Sequence, residues 1–352
     1  MLFHTLQKKN SCQYVKEFTL TIFIAFMFST LLIFLSGASP LSVYSNMLKG
    51  SLGSWTKISH VLKAWVPLTL CACGLLYTFR IGLWNIGIEG QVVMGAVLTT
   101  AALRMGLGSG MTMLQIPIAI AAGALGGAGW AAIAGLFKTK GGVNEIFAGL
   151  GLNFLAQGIT LWLIFGPWKR QGIASMSGTE VFSKDLWLPY IEGLRLSPPA
   201  LIMAVAAVFL TALLLFRTKL GLQLKAVGNN AKAAFLLGLK PDRLMIYAML
   251  FAGGFAGLAG SVQVTGVYHR LIPSISSNYG YLALLIVMLA DYNIRLTPFI
   301  AFFFACLNVG SIQLPMVLQL DSSLAGIIQG ALVLSILSVS AMRARMKTEG
   351  DQ

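Results

Sequence analysis

A chain that alternates apolar runs of about 20 residues with short polar connections has one way to satisfy its backbone in lipid, by packing helices side by side. Such runs recur here at 18–36, 61–79, 84–103, 113–137, 144–166, 198–217, 244–264, 279–290, 296–313 and 322–342. The eighth is short and suits a half-helix or a re-entrant segment. Composition agrees with this reading: of 352 residues, 57% are hydrophobic and 10% charged, whereas soluble domains carry about 25% charged residues. The expected fold class is all-α, a polytopic membrane helix bundle. No linker or composition shift divides it, so 1–352 reads as a single domain.

A net charge of +14 would suit a nucleic-acid partner. Here, however, Lys and Arg are scattered singly through short connections, which is the pattern of topology signals. With ten spans and the N-terminus inside, 16 of the 25 Lys and Arg fall on the inner side. They include Lys8, Lys9, Lys16, Arg80, Lys138, Lys140, Arg295, Arg343, Arg345 and Lys347. The positive-inside rule then places both termini in the cytoplasm. The long connection at 167–197, with Glu180, Asp185 and Glu192, becomes an extracytoplasmic loop.

Residues 218–243 form a basic, partly amphipathic island between two strongly apolar segments, with Lys219, Lys225, Lys232, Lys240 and Arg243. The island is too polar for lipid and too short to fold alone. It is long enough to present one short helix to a partner, since most connections are about 4–6 residues. Ala231, Ala233, Ala234, Leu237 and Gly238 give it a small and apolar surface that a groove could accept. The flanking lysines suit anionic lipid or rim acids. No G-x-x-x-x-G-K-[ST] phosphate loop occurs in the chain, so any ATP-driven work would need an ATPase on another polypeptide.

Inside the spans, Gly123/Gly127, Gly253/Gly257 and Gly326/Gly330 are spaced four apart, as expected of closely packed helices. Acidic residues at membrane depth are costly, and only Glu89 and Glu145 qualify. Glu89 follows Asn85 by one turn amid glycines that permit a broken start. Its carboxylate either satisfies backbone N–H groups of a neighbouring helix end or contacts a solute. Asn153, Gln157 and Thr160 lie at i, i+4 and i+7 on one face. That stripe suits either hydrogen bonds between helices or an uncharged hydroxylated ligand, because amides both donate and accept. Cys12, Cys71, Cys73 and Cys306 have no zinc-ligand spacing. No cofactor or metal is expected.

Three motifs carry a resemblance. Trp84-Asn85-Ile86-Gly87-Ile88-Glu89-Gly90-Gln91 runs on to Gly95-Ala96. Val143-Asn144-Glu145-Ile146 is followed by Leu152-Asn153. Ala226-Val227-Gly228-Asn229-Asn230-Ala231-Lys232-Ala233-Ala234 is followed by Gly238. In this order they resemble the permease subunits of bacterial ABC importers for simple sugars and nucleosides, a branched-chain-amino-acid-like permease family. The similarity is greatest to the branch that works with Bmp-type lipoprotein binding proteins, and it spans roughly residues 50 to 340. The run Met288-Leu289-Ala290-Asp291-Tyr292-Asn293 departs from the family pattern.

The resemblance implies a permease subunit in a bacterial plasma membrane that is not itself an enzyme. It would be moved by a separate ATP-binding ABC ATPase, fed by an extracytoplasmic solute-binding lipoprotein, and paired with a second related permease. It assigns the coupling role to Gly228, Asn229, Ala231, Ala233, Ala234, Leu237 and Gly238. It leaves Asn85, Glu89, Asn153, Gln157 and Thr160 as candidates for the solute path. The alternative from the residues themselves is an ion-coupled secondary transporter. That class needs buried acidic or paired polar groups at mid-membrane, where this chain offers amides.

Overall fold

The computed structural model describes residues 23–106, 112–170, 177–194 and 196–312, apart from 25, 32 and 36, and in addition 314, 317 and 330. Among the described residues the regular elements are helices, with one isolated bridge between Ile191 and Leu196. They are α1 (Pro40–Leu52), α2 (Trp55–Arg80), α3 (Ile88–Arg104), α4 (Thr112–Thr139), α5 (Glu145–Phe165) and α6 (Pro198–Arg217). Then come α7 (Lys219–Asn229), α8 (Ala231–Leu236), α9 (Pro241–Val262), α10 (Tyr279–Leu289) and α11 (Thr297–Ser311). A π-helical stretch, Gln263–Tyr268, prolongs α9.

Five helices among the described residues are long and apolar enough to cross a membrane: α2, Leu114–Thr139 within α4, α5, α6, and α9 with its continuation to Tyr268. A sixth is added if Phe26–Leu35 and α1, bent by 113° at the break between them, count as one span. The chain is an all-helical, multi-pass membrane protein. The short run expected at 279–290 is the eleven-residue α10. Two expectations differ from the helices observed: the run at 84–103 forms helix only from Ile88, and the connection after residue 36 contains α1. A ruler tuned to spans passes over a 13-residue helix such as α1. The expected segment at 322–342, but for Gly330, lies outside the described residues, as do 18–22 of the first.

The chain forms two compact units, one up to Val61 and from Phe303 onward, the other Leu62–Phe302. In the first, Ile33, Val43, Met47 and Leu314 make a small core. The Tyr44 hydroxyl lies 2.9 Å from both Ser29 Oγ and Thr30 Oγ1. Pro40 begins α1 where a missing N–H costs nothing, and Pro198 and Pro241 do the same for α6 and α9.

The second unit is centred on α3, α4 and α9, which meet through glycine. A Cβ on Gly127 would lie 2.7 Å from the Gly257 backbone, and one on Gly95 would lie 2.7 Å from the Gly257 carbonyl. The spaced glycines of the sequence thus pack on one another, Gly123 and Gly127 against Gly253 and Gly257. Lipid supplies no hydrophobic drive between helices, so such backbone approach and its dispersion contacts hold them together. Thr99 and Ser261 add a buried hydroxyl pair, 2.7 Å apart: one donates to the other, and the second donates to a carbonyl of its own helix, Gly95 or Gly257. Of the third glycine pair, Gly326 lies outside the described residues.

Candidate functional site

The connection from α2 to α3 is non-helical for a local reason. Gly82 adopts φ +83°, which turns the chain after Arg80. The Asn85 and Gln91 side chains then pair through both amides, at 3.0 and 2.8 Å. Helix α5 is laid against this interrupted start. Asn153 Oδ1 accepts from the Gly90 amide at 2.8 Å, while Asn153 Nδ2 donates to the Ile86 carbonyl and to the Tyr281 hydroxyl, each at 3.0 Å. The site needs a side chain that gives and takes at once, which an amide does. Gly87 and Gly149 permit the approach, since a Cβ on either would lie 3.0 Å from the other's Cα.

Glu89 faces a different helix. Its Oε2 accepts from the Gly280 amide at 2.8 Å, and the carboxylate also meets the Ser276 hydroxyl and the backbone of Asn278 and Tyr281. The backbone groups among these are the donors at the start of α10 that have no partner within the helix. Its N-cap residue Asn278 sits at φ +60° and supplies no side-chain cap. A carboxylate placed there satisfies orphan N–H groups and opposes the positive end of the helix. Gly280 has to be glycine, because a Cβ would lie 2.9 Å from Glu89 backbone atoms. The far end of α10 returns to the same turn, where the Tyr292 ring packs on Phe79 with centroids 5.1 Å apart.

The rest of the polar stripe divides. Gln157 Nε2 donates to the Pro273 carbonyl at 2.6 Å and remains half-buried. Thr160 is fully buried and donates to the Ala156 carbonyl of its own helix. Glu145 pairs with Lys138 at 2.7 Å, where α4 and α5 meet. The structure therefore joins Asn85, Glu89 and Asn153 around one interrupted helix start, ties Gln157 to the loop before α10, and leaves Thr160 buried on a bond within its own helix.

The 218–243 island folds as two short helices. Thr218 caps α7 and Asn230 caps α8, its Oδ1 accepting from the Ala233 amide at 3.0 Å. Gly238, at φ +83°, ends α8 before Pro241 begins α9. The surface differs from the small-residue patch read in the sequence. Ala234 is only 2% exposed, and Gly228 is pressed against the Arg80 carbonyl and Ile81. Both join the island to its own chain. Ala231 is half-buried, while Asn229, Ala233, Leu237 and Gly238 are exposed. The apolar tip is Phe235, Leu236 and Leu237, with Leu236 85% exposed. Sequence reasoning did not single out Phe235 and Leu236, although their neighbour Leu237 was already part of the expected surface.

The described part of the 167–197 connection is tied to the segment after α9. Thr179 N donates to the Leu271 carbonyl, Phe182 N to that of His269, and Leu188 N to that of Thr265. Trp187 stacks on His269 at 3.7 Å between centroids. Burial lowers the His269 pKa from its ordinary value.

Comparison with known proteins fits this geometry. Residues 57–337 match the family described as branched-chain amino acid transport system / permease component. A glucose ABC transporter permease protein of Haloferax volcanii is 29% identical over 310 residues, covering 85% of this chain and 80% of that one. A guanosine ABC transporter permease protein of Bacillus subtilis is 25% identical over 340 residues, covering 94% and 96%. A nucleoside ABC transporter permease protein of Lactococcus lactis is 24% identical over 300 residues, covering 83% and 82%. No solved structure matches significantly. With the family match running over most of its length, the chain belongs to the permease components of the branched-chain amino acid transport type.

Proposed function

We propose that this chain is the membrane-spanning permease subunit of an ABC importer, and that it carries a nucleoside. The observation that carries the reading is the end-to-end similarity to a guanosine permease, over 94% of this chain and 96% of that one. The similarity to a glucose permease keeps a simple sugar as the second reading.

In this reading the chain is one permease domain of ten segments in a bacterial plasma membrane, with both termini cytoplasmic. The 167–197 loop receives a solute-binding lipoprotein, and a second related permease completes the path. The 218–243 loop docks on the ATPase through Ala231, Ala233, Phe235, Leu236, Leu237 and Gly238. Asn229 sits at the rim, and Gly228 and Ala234 hold the loop to its own chain. ATP-driven closure of the ATPases then moves this loop and shifts the bundle between outward- and inward-open states.

The test is uptake into proteoliposomes that hold the permeases and the ATPase, supplied with the binding protein. Uptake of labelled guanosine should require ATP and should be indifferent to ionophores. Uptake without ATP that collapses with an ionophore would establish the ion-coupled reading instead.

A further inference from the structure

Two rulers bear on the depth at which helix α10 begins. The first is α10 itself. Its eleven residues span about 16 Å at 1.5 Å each, and the chain just beyond them packs Tyr292 on Phe79, next to the Arg80 end of α2. The second is α5. Gln157 stands twelve residues, about 18 Å, from Glu145 at the end where Lys138 and Glu145 pair. Its amide reaches Pro273 in the loop that leads into α10. The hydrocarbon core is about 30 Å thick, so both rulers put the start of α10 near its middle.

At that depth this face is polar. Ser274 and Asn278 are exposed, Tyr281 is 36% exposed, and Gln157, Tyr268 and Ser277 are half-buried. The Tyr268 and Ser277 hydroxyls lie 3.1 Å apart. Elsewhere on α5 the surface is what lipid requires, with Phe154 78% exposed and Leu155 and Trp162 also outward. Exposed amide and hydroxyl groups in hydrocarbon would go unsatisfied, and polar backbone segments at membrane depth occur where they line a cavity.

We propose that Ser274, Asn278 and Tyr281, with Gln157 and Tyr268 beside them, line a water-filled solute path that a second permease closes. The inference rests on the importer reading and names the residues that touch its solute. The lining is uncharged, and its hydroxyls and amides both donate and accept, which matches a hydroxylated neutral solute. The Tyr281 hydroxyl is held by Asn153, so the ring offers a fixed aromatic face on which a planar base or a sugar ring can stack. Anions are disfavoured, because the α10 amides that could receive one are already taken by Glu89.

Thiol accessibility tests this in the full importer in membrane vesicles, with Cys12, Cys71, Cys73 and Cys306 replaced by alanine. Ser274→Cys, Asn278→Cys and, as the lipid-facing reference, Phe154→Cys are treated with a charged, membrane-impermeant methanethiosulfonate. The first two should react on the order of tenfold faster than the reference, because water reaches them, and the transported solute should slow them. Equally slow reaction at all three positions overturns the proposal. ATP-driven uptake is read on the same vesicles. Uptake with unreactive thiols means the lining is wrong while the importer reading stands. No uptake by the unsubstituted complex, for any nucleoside or sugar, means the importer reading itself has failed.

Discussion

The Glu89 carboxylate accepts a hydrogen bond from the Gly280 amide, 2.8 Å away and 191 positions along the chain. The start of α10 is thus capped from another helix. Glu89→Gln keeps an acceptor and should leave assembly largely intact. Glu89→Ala leaves buried amides unpaired, at about 1–3 kcal/mol for each orphaned group, and should lower the unfolding temperature of the purified complex. An alanine variant as stable as the parent would show that the contact contributes no cap.

Asn153 makes two hydrogen bonds to the interrupted start of α3 and a third to the Tyr281 hydroxyl of α10. Asn153→Leu orphans the Gly90 amide and the Ile86 carbonyl and should destabilise the permease by about 1–3 kcal/mol per group. Gln157→Leu loses the bond to Pro273 and should reduce uptake while assembly survives. Thermal unfolding and uptake, measured on both variants, separate the two roles. The assignment fails if Asn153→Leu is stable and Gln157→Leu is not.

The exposed tip of α8 leads to a different expectation from its buried base. Leu236→Glu should abolish solute-stimulated ATP hydrolysis in a complex whose permease still inserts. Ala234→Glu should prevent folding of the loop, because a charge would be buried at a 2% exposed position. Normal hydrolysis in Leu236→Glu would place the ATPase elsewhere.

Gly127→Ala should destabilise by about 1–3 kcal/mol through overpacking, because its new methyl group meets the Gly257 backbone, which cannot rotate away. Gly129→Ala, with open space around it, is the matched control in the same helix. Equal unfolding temperatures for the two variants would count against the α4–α9 contact.

Reporter fusions after Lys140 and Lys232 should report the cytoplasm, and one after Lys184 the opposite side. A cytoplasmic signal from all three would undo the ten-segment topology.

Much of the bundle was legible because hydropathy counts residues, and five helices are long enough to register. The glycine pairs were legible for a similar reason, since spacing alone puts Gly123 and Gly127 on one face. The contacts at the start of α10 were not legible. The shortness of the 279–290 run suggested a half-helix, but nothing local in Tyr279-Gly280-Tyr281 points to the Glu89 and Pro273 contacts made by distant parts of the chain. The face of α8 was hidden too. Six residues turn less than twice, so packing on the rest of the chain decides that Ala234 points in and Leu236 out. The polar stripe of α5 was visible, yet its division was not, since a threonine that bonds its own helix looks like any other threonine.

The turn between α2 and α3 is touched from three sides. Gly228 of the island rests on Arg80, Glu89 holds the beginning of α10, and Phe79 meets Tyr292 just past its end. Coupling between two sites is a shared free energy and acts equally in both directions. If nucleotide-driven movement at Gly228 resets α10, then a solute that favours one setting of α10 biases Gly228 by the same amount. The permease would then need no separate sensor to report that a passenger is aboard.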